Sequence, residues 1–135
     1  MTTNDTIFVN MPVRDLQKSI AFFTSLGYAF NPQMTSEDAA CMIIGEKIFA
    51  MLLTHERFSD FSPLPPTDTS KSVEALFALS CASREEVDDL VRKAVAAGGT
   101  TVDEAADHGF MYDHGFRDLD GHCWGVFWIN PAHAQ

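Results

Sequence analysis

The chain has 135 residues, near the commonest size of a single domain and long enough to bury a substantial core. Its hydrophobic content of 46% and charged content of 21% are ordinary for a globular protein, and a net charge of −10 argues against nucleic acids and anionic membranes, which attract basic patches. The N-terminus carries no secretory pattern and no apolar run approaches the roughly 20 residues that span a bilayer, so the expectation is a cytoplasmic protein.

Residues 7–11 form a short apolar run that reads as a strand, with Pro12 ending it or placing it at an edge. Asp15 is positioned to cap a helix, because its carboxylate can accept the orphan N–H groups of the first turn. Over residues 15–26, Leu16, Ile20 and Phe23 recur at helical spacing, and Ser19, Phe22 and Leu26 widen the stripe. Gly27 follows as a helix-ending residue. Residues 28–34, 40–44 and 48–53 read as three further strands, and residues 55–61 as one helical turn. Pro63, Pro65 and Pro66 make residues 62–72 a linker, because proline cannot donate to a ladder or continue a helix.

The pattern then recurs. Residues 73–81 read as a strand, and Ser83 with Glu86 forms a capping box. Val87, Leu90, Val91, Ala94 and Val95 give the apolar face of a second helix, closed by Gly98 and Gly99. Residues 100–105 read as a strand. Residues 110–117 and 123–129 form a hairpin around Asp120-Gly121, where a tight turn predicts φ > 0 at both central residues. The tail over 130–135 reads as frayed. The expected class is therefore α+β: two βαβββ modules, over about 5–61 and 73–130, with mainly antiparallel curved sheets forming a cup and helices outside. The three cysteines, Cys41, Cys81 and Cys123, sit in strand-like runs and fit no C-x-x-C pattern, which favours buried reduced thiols.

The opening Phe8-Val9-Asn10-Met11-Pro12-Val13-Arg14-Asp15-Leu16, with Leu26-Gly27-Tyr28, resembles the first module of the vicinal oxygen chelate superfamily. That superfamily includes glyoxalases, bleomycin- and fosfomycin-resistance proteins and extradiol dioxygenases. The ending Phe116-Arg117-Asp118-Leu119-Asp120-Gly121-His122-Cys123-Trp124 resembles its closing hairpin, with Leu119 where a proline is usual. The resemblance implies small-molecule binding and a homodimer. In metal-using members it implies a divalent ion (Zn, Ni, Mn or Fe) held by His, Gln or Glu on the first and fourth strands of each module. Those positions fall here on Phe8, Leu52, Leu76 and Gly125. None has a side chain able to bind such an ion, so no metal and no cofactor are expected.

Two functions remain open on the sequence. One is a binding protein that holds a small, largely apolar or aromatic molecule in a cup lined by Phe8, Asn10, Leu52, Leu76, Ser80, Cys123, Gly125 and Phe127. The other is a lyase, isomerase or dioxygenase, lactoylglutathione-lyase-like or extradiol-dioxygenase-like, with a relocated metal or with Tyr112, His114 and Asn10 as acid/base groups. Strand alternation sets Tyr112, His114 and Phe116 on one face and Met111, Asp113 and Arg117 on the other. The sequence cluster of His108, His114 and His122 with Asp107, Asp113 and Asp118 is read as turn and edge polarity rather than as a metal site.

Overall fold

The structure, a computed structural model, describes residues 2–101 and 103–133. The chain divides into two units, Met1–Pro66 and Thr67–Gln135. Each is built on one four-stranded sheet.

In the first unit β1 (Ile7–Val13), α1 (Leu16–Ser25), β2 (Ala29–Asn31), β3 (Ala39–Gly45) and β4 (Ile48–Thr54) precede a short α2 (His55–Ser59). The strand order is β1-β4-β3-β2, with β1 parallel to β4 and the other neighbours antiparallel. A parallel pair needs a long crossover, and the chain from α1 to β3 supplies it. Because β1 is an edge strand, it carries Pro12 within its length instead of ending before it. Asp15 caps α1, its Oδ1 accepting the Lys18 N–H at 3.1 Å. Beneath the cap, Leu16, Ser19, Phe22 and Phe23 turn inward, and Gly27 leaves the helix at φ 105°. The second strand is shorter than its apolar run suggests. It stops at Asn31, because Pro32 begins a 3₁₀ turn whose first N–H groups Asn31 caps.

The register of β1 on β4 puts Met11 beside Leu52 and Asn10 beside Met51. Met11, Val13, Ala50 and Leu52 share one face and are all buried. Fully burying a side chain the size of Met11, Val13 or Leu52 contributes about 1.5–3 kcal/mol. On the opposite face Phe8 stacks on Phe49 with ring centroids 4.7 Å apart, and Phe8 remains 41% exposed.

The second unit repeats the wiring with β5 (Leu76–Ser80), α3 (Arg84–Ala96), β6 (Ala106–Asp107), β7 (Met111–Arg117) and β8 (Cys123–Ile129). The order is β5-β8-β7-β6, and β5 is the parallel strand. Two βαβββ modules of class α+β are thus present, each sheet mixed because its first strand runs parallel to its last. Ser83 caps α3 through the Glu86 N–H at 3.1 Å, and Val87, Val91 and Ala94 are buried beneath it. Residues 100–105 do not form the expected strand. Thr100 makes only a two-bond bridge to Arg117, and pairing resumes at β6; Val102 lies outside the described residues. The tail is ordered further than expected, since the Asn130 N–H donates to the Phe110 carbonyl and residues 131–133 form a 3₁₀ turn. Residues 134–135 lie outside the described residues.

The closing turn also differs from the two-residue form. Gly121 has φ 81°, and no non-glycine among the described residues has positive φ. Instead of a tight turn, a longer loop is tied to Asp118. Its backbone carbonyl accepts the Gly121 N–H, and its N–H donates to the His122 carbonyl. Its carboxylate accepts the N–H groups of Asp120 at 2.9 Å and His122 at 3.0 Å, and the Trp124 indole N–H at 3.0 Å. A turn residue that hydrogen-bonds backbone two and four positions on removes the need for a second left-handed residue.

Candidate functional site

Register brings the side chains of β5, β8 and β7 into rows across the sheet. Leu76, Cys123 and Arg117 form one row, Ala78, Gly125 and Gly115 the next, and Ser80, Phe127 and Asp113 a third. The middle row carries nothing larger than a methyl group, so the sheet surface drops there and the flanking rows stand as walls. The resulting trough has a volume of about 680 Å³ and a mostly apolar lining that includes Leu76, Met111, Cys123, Phe127 and Ile129. Leu76 is 79% exposed, unusual for a leucine in a strand.

The two glycines serve different ends. A Cβ at Gly115 would lie 3.1 Å from the Trp124 carbonyl oxygen, so close strand approach requires glycine there. A Cβ at Gly125 would meet nothing nearer than the Phe77 oxygen at 3.4 Å, an ordinary contact. The absent side chain at Gly125 therefore leaves room that the backbone does not need.

Three charged residues border the trough: Arg117, Asp113 and Asp103. Arg117 Nε is buried and has no hydrogen-bond partner among the described residues. Asp113 lies 3.4 Å from His108 Nε2, a pair too exposed to hold either group firmly.

On the reverse face of β7 and β8, Phe116, Trp124 and Val126 are buried, with α3 packed on both strands. Tyr112 belongs to this face. Its hydroxyl donates to Asp88 Oδ1 at 2.6 Å, and that bond, with some burial, holds the phenol above its ordinary range. The Arg84 guanidinium lies 5.0 Å from the Tyr112 ring centre and pairs with Asp107 at 2.7 Å.

Of the residues expected around a cup, Leu76, Cys123, Gly125 and Phe127 border the trough. Ser80 shares their face beyond its end. Phe8 and Asn10 are themselves exposed, on the face of the first sheet that also carries Phe49 and Met51. Leu52 is a correction: it is 0% exposed on the face opposite Phe8, because parity from Met11 turns it inward. Tyr112 and His114 leave β7 on the side opposite Gly115. Tyr112 is committed to Asp88, and His114 Nε2 lies 2.8 Å from the Asp103 carbonyl and 3.1 Å from Thr101 Oγ1 at the rim. Tyr112 does not border the trough, whereas His114 does, with its Nε2 held by these rim groups. Asp113 reads from the sequence only as edge polarity and Arg117 only as its neighbour on one strand face, and Gly115 is not singled out there. The signal for them was the pairing of Gly115 with Gly125 across the hairpin, which puts both neighbours of Gly115 two residues away on the same face.

The sequence cluster of histidines and aspartates is dispersed. His122 is 3% exposed and holds Glu74 at 3.0 Å through Nδ1, while Asp107 holds Arg84. Among the described residues no group of three or more His, Cys, Asp or Glu could hold a metal ion. Cys41 and Cys81 are free thiols held in the protonated form: burial raises both, Cys81 to about 11 with Glu86 adding to the effect.

Residues 6–45 match the family model for the bleomycin resistance protein-like N-terminal domain. A hypothetical protein of S. aureus is 30% identical, with a TM-score of 0.79 over 95% of this chain and 96% of that one. A glyoxalase/bleomycin resistance protein/dioxygenase family enzyme of Burkholderia phytofirmans is 21% identical, with a TM-score of 0.76 over 91% and 97%. The chain belongs to the vicinal oxygen chelate superfamily. A glyoxalase-related enzyme of Fulvimarina pelagi shares this superfamily's fold at 20% identity, with a TM-score of 0.79 over 96% and 90%. No curated protein sequence matches the chain.

For this vicinal oxygen chelate protein the four positions implied for metal ligands can be tested against its own donor set. Phe8, Leu76 and Gly125 carry no donor atom in their side chains, and Leu52 is sealed in the first unit's core. A divalent ion needs three or four nitrogen, oxygen or sulfur ligands. The residues present do not fit one.

Proposed function

We propose that the protein binds a small, largely apolar or aromatic molecule in the trough of its second sheet, without the metal ion used by some members of its superfamily. The observation that carries this is the row of Ala78, Gly125 and Gly115, above all Gly125, whose missing side chain opens space the backbone does not demand. The apolar walls support it, since small-molecule sites are concave, mostly apolar and furnished with a few polar groups. Catalysis by Tyr112 and His114 has less support, because the Tyr112 hydroxyl is engaged by Asp88 and His114 Nε2 by the Asp103 carbonyl.

The reading is tested by filling the trough. Gly125→Leu should fold, since its Cβ meets only an ordinary contact, and should abolish binding of naphthalene-type probes measured by calorimetry on the full chain. Binding unchanged in that variant would refute the assignment. We also propose a homodimer, on the strength of the superfamily resemblance. A monomeric mass by light scattering at micromolar concentration would contradict it.

A further inference from the structure

We infer that the molecule held in this trough is a planar aromatic monocarboxylate whose carboxylate is bound by Arg117. The inference rests on the binding function proposed above and sharpens it from an apolar ligand to an anionic one.

Arg117 stands in the row beside the small-residue floor, and its buried Nε has no hydrogen-bond partner among the described residues. A buried donor without an acceptor is costly, and native proteins seldom leave one without a reason. The guanidinium cannot shed its proton to avoid that cost. A ligand carboxylate meeting the guanidinium where Arg117 lines the trough offsets the cost of that half-buried charge, because its two oxygens match the planar fork of donors. The floor beside it spans three strands spaced about 4.8 Å apart, a width that suits a flat ring system. Phe127, in the third row, supplies an aromatic wall for that ring.

The opposite end limits the charge. Asp113 lies four residues back along β7 on the same face, roughly 13 Å away at the usual rise per residue. Asp103 also borders the trough. A second anionic group would meet these carboxylates, and a doubly charged phosphate would be repelled more than a single carboxylate. The trough therefore selects one negative charge at the Arg117 end and an uncharged body.

Calorimetry on the full chain with 2-naphthoate, its neutral analogue 2-naphthylmethanol, and 2-naphthyl phosphate tests this. Wild type should bind the carboxylate at least about tenfold more tightly than the alcohol, the scale of one charge-assisted hydrogen bond, and more tightly than the phosphate. Arg117→Gln should remove that preference while leaving alcohol binding in place, and Arg117→Lys should keep part of it. Equal wild-type affinity for acid and alcohol, tighter binding of the phosphate, or equal weakening of acid and alcohol in Arg117→Gln would overturn the inference. If Gly125→Leu abolishes binding while Arg117→Gln changes nothing, the trough stands and the carboxylate falls. If wild type binds none of the three probes, both fall. The wild-type comparison needs no variant, so it decides even if Arg117→Gln does not fold.

Discussion

Asp118 shows how one side chain can organise a turn at an electrostatic cost. It is 8% exposed, and burial raises its carboxyl above the ordinary 3.8, although His122, the Trp124 indole and two backbone N–H groups partly offset this. Folding therefore binds a proton at Asp118 in the pH range just above 3.8. That contribution favours the fold at low pH and is lost as pH rises through the folded value. Asp118→Asn keeps one acceptor but turns an NH₂ group toward the Trp124 N–H or the backbone donors. It should destabilise the protein by about 1–3 kcal/mol at neutral pH. Because the asparagine does not titrate, the gap between wild type and variant should widen as pH falls toward 3.8. Denaturant unfolding over a pH series measures it; a gap that closes on acidification would mean the carboxyl is stabilised in its charged form.

At the scale of the element, both long helices were legible because their signals are local. A cap is a contact between residues three apart, and Asp15 and Ser83 cap as their spacing implies. Ser83→Ala should cost about 1 kcal/mol in chemical denaturation, with no change in the site. Strands were legible in kind but not in extent. β2 yields to Pro32, and the pairing expected over 100–105 is reduced to Thr100 because partners, not propensity, decide where a ladder closes. The closing loop depends on a contact distant in sequence. Thr69 donates to the Asp120 carbonyl at 2.5 Å, and a Cβ at Gly121 would lie 2.6 Å from that same hydroxyl oxygen. Gly121→Ala should therefore lose more than the roughly 1–2 kcal/mol of left-handed strain alone, read as a fall in Tm. A loss no larger than that of Ser83→Ala would show that the linker yields.

At the scale of the whole molecule, the repeated βαβββ wiring places a parallel strand at one edge of each sheet. Of the positions that the superfamily resemblance implies for ligands, Phe8, Leu76 and Gly125 have no donor atom in their side chains and Leu52 faces the core, and among the described residues no group of three or more His, Cys, Asp or Glu could hold a metal ion. Elemental analysis of purified protein should find well below one equivalent of zinc, nickel, manganese or iron per chain. Near-stoichiometric metal retained through dialysis against a chelator would refute the metal-free proposal.

The sequence by itself determined the module repeat, the helix caps and the family, because capping, apolar periodicity and the Asp-Gly hairpin are written in contacts a few residues apart. It also located Gly125, since a missing side chain is visible in a string of letters. Only the tertiary structure decided which residues share a surface. A shift of one residue along a strand reverses its face, and the pairing of β1 with β4 puts Leu52 on the core face with Met11 instead of on the face of Phe8. The meeting of Gly115 with Gly125, with Arg117 beside them and its Nε lacking a hydrogen-bond partner among the described residues, follows from the register of strands joined across the turn that Asp118 holds.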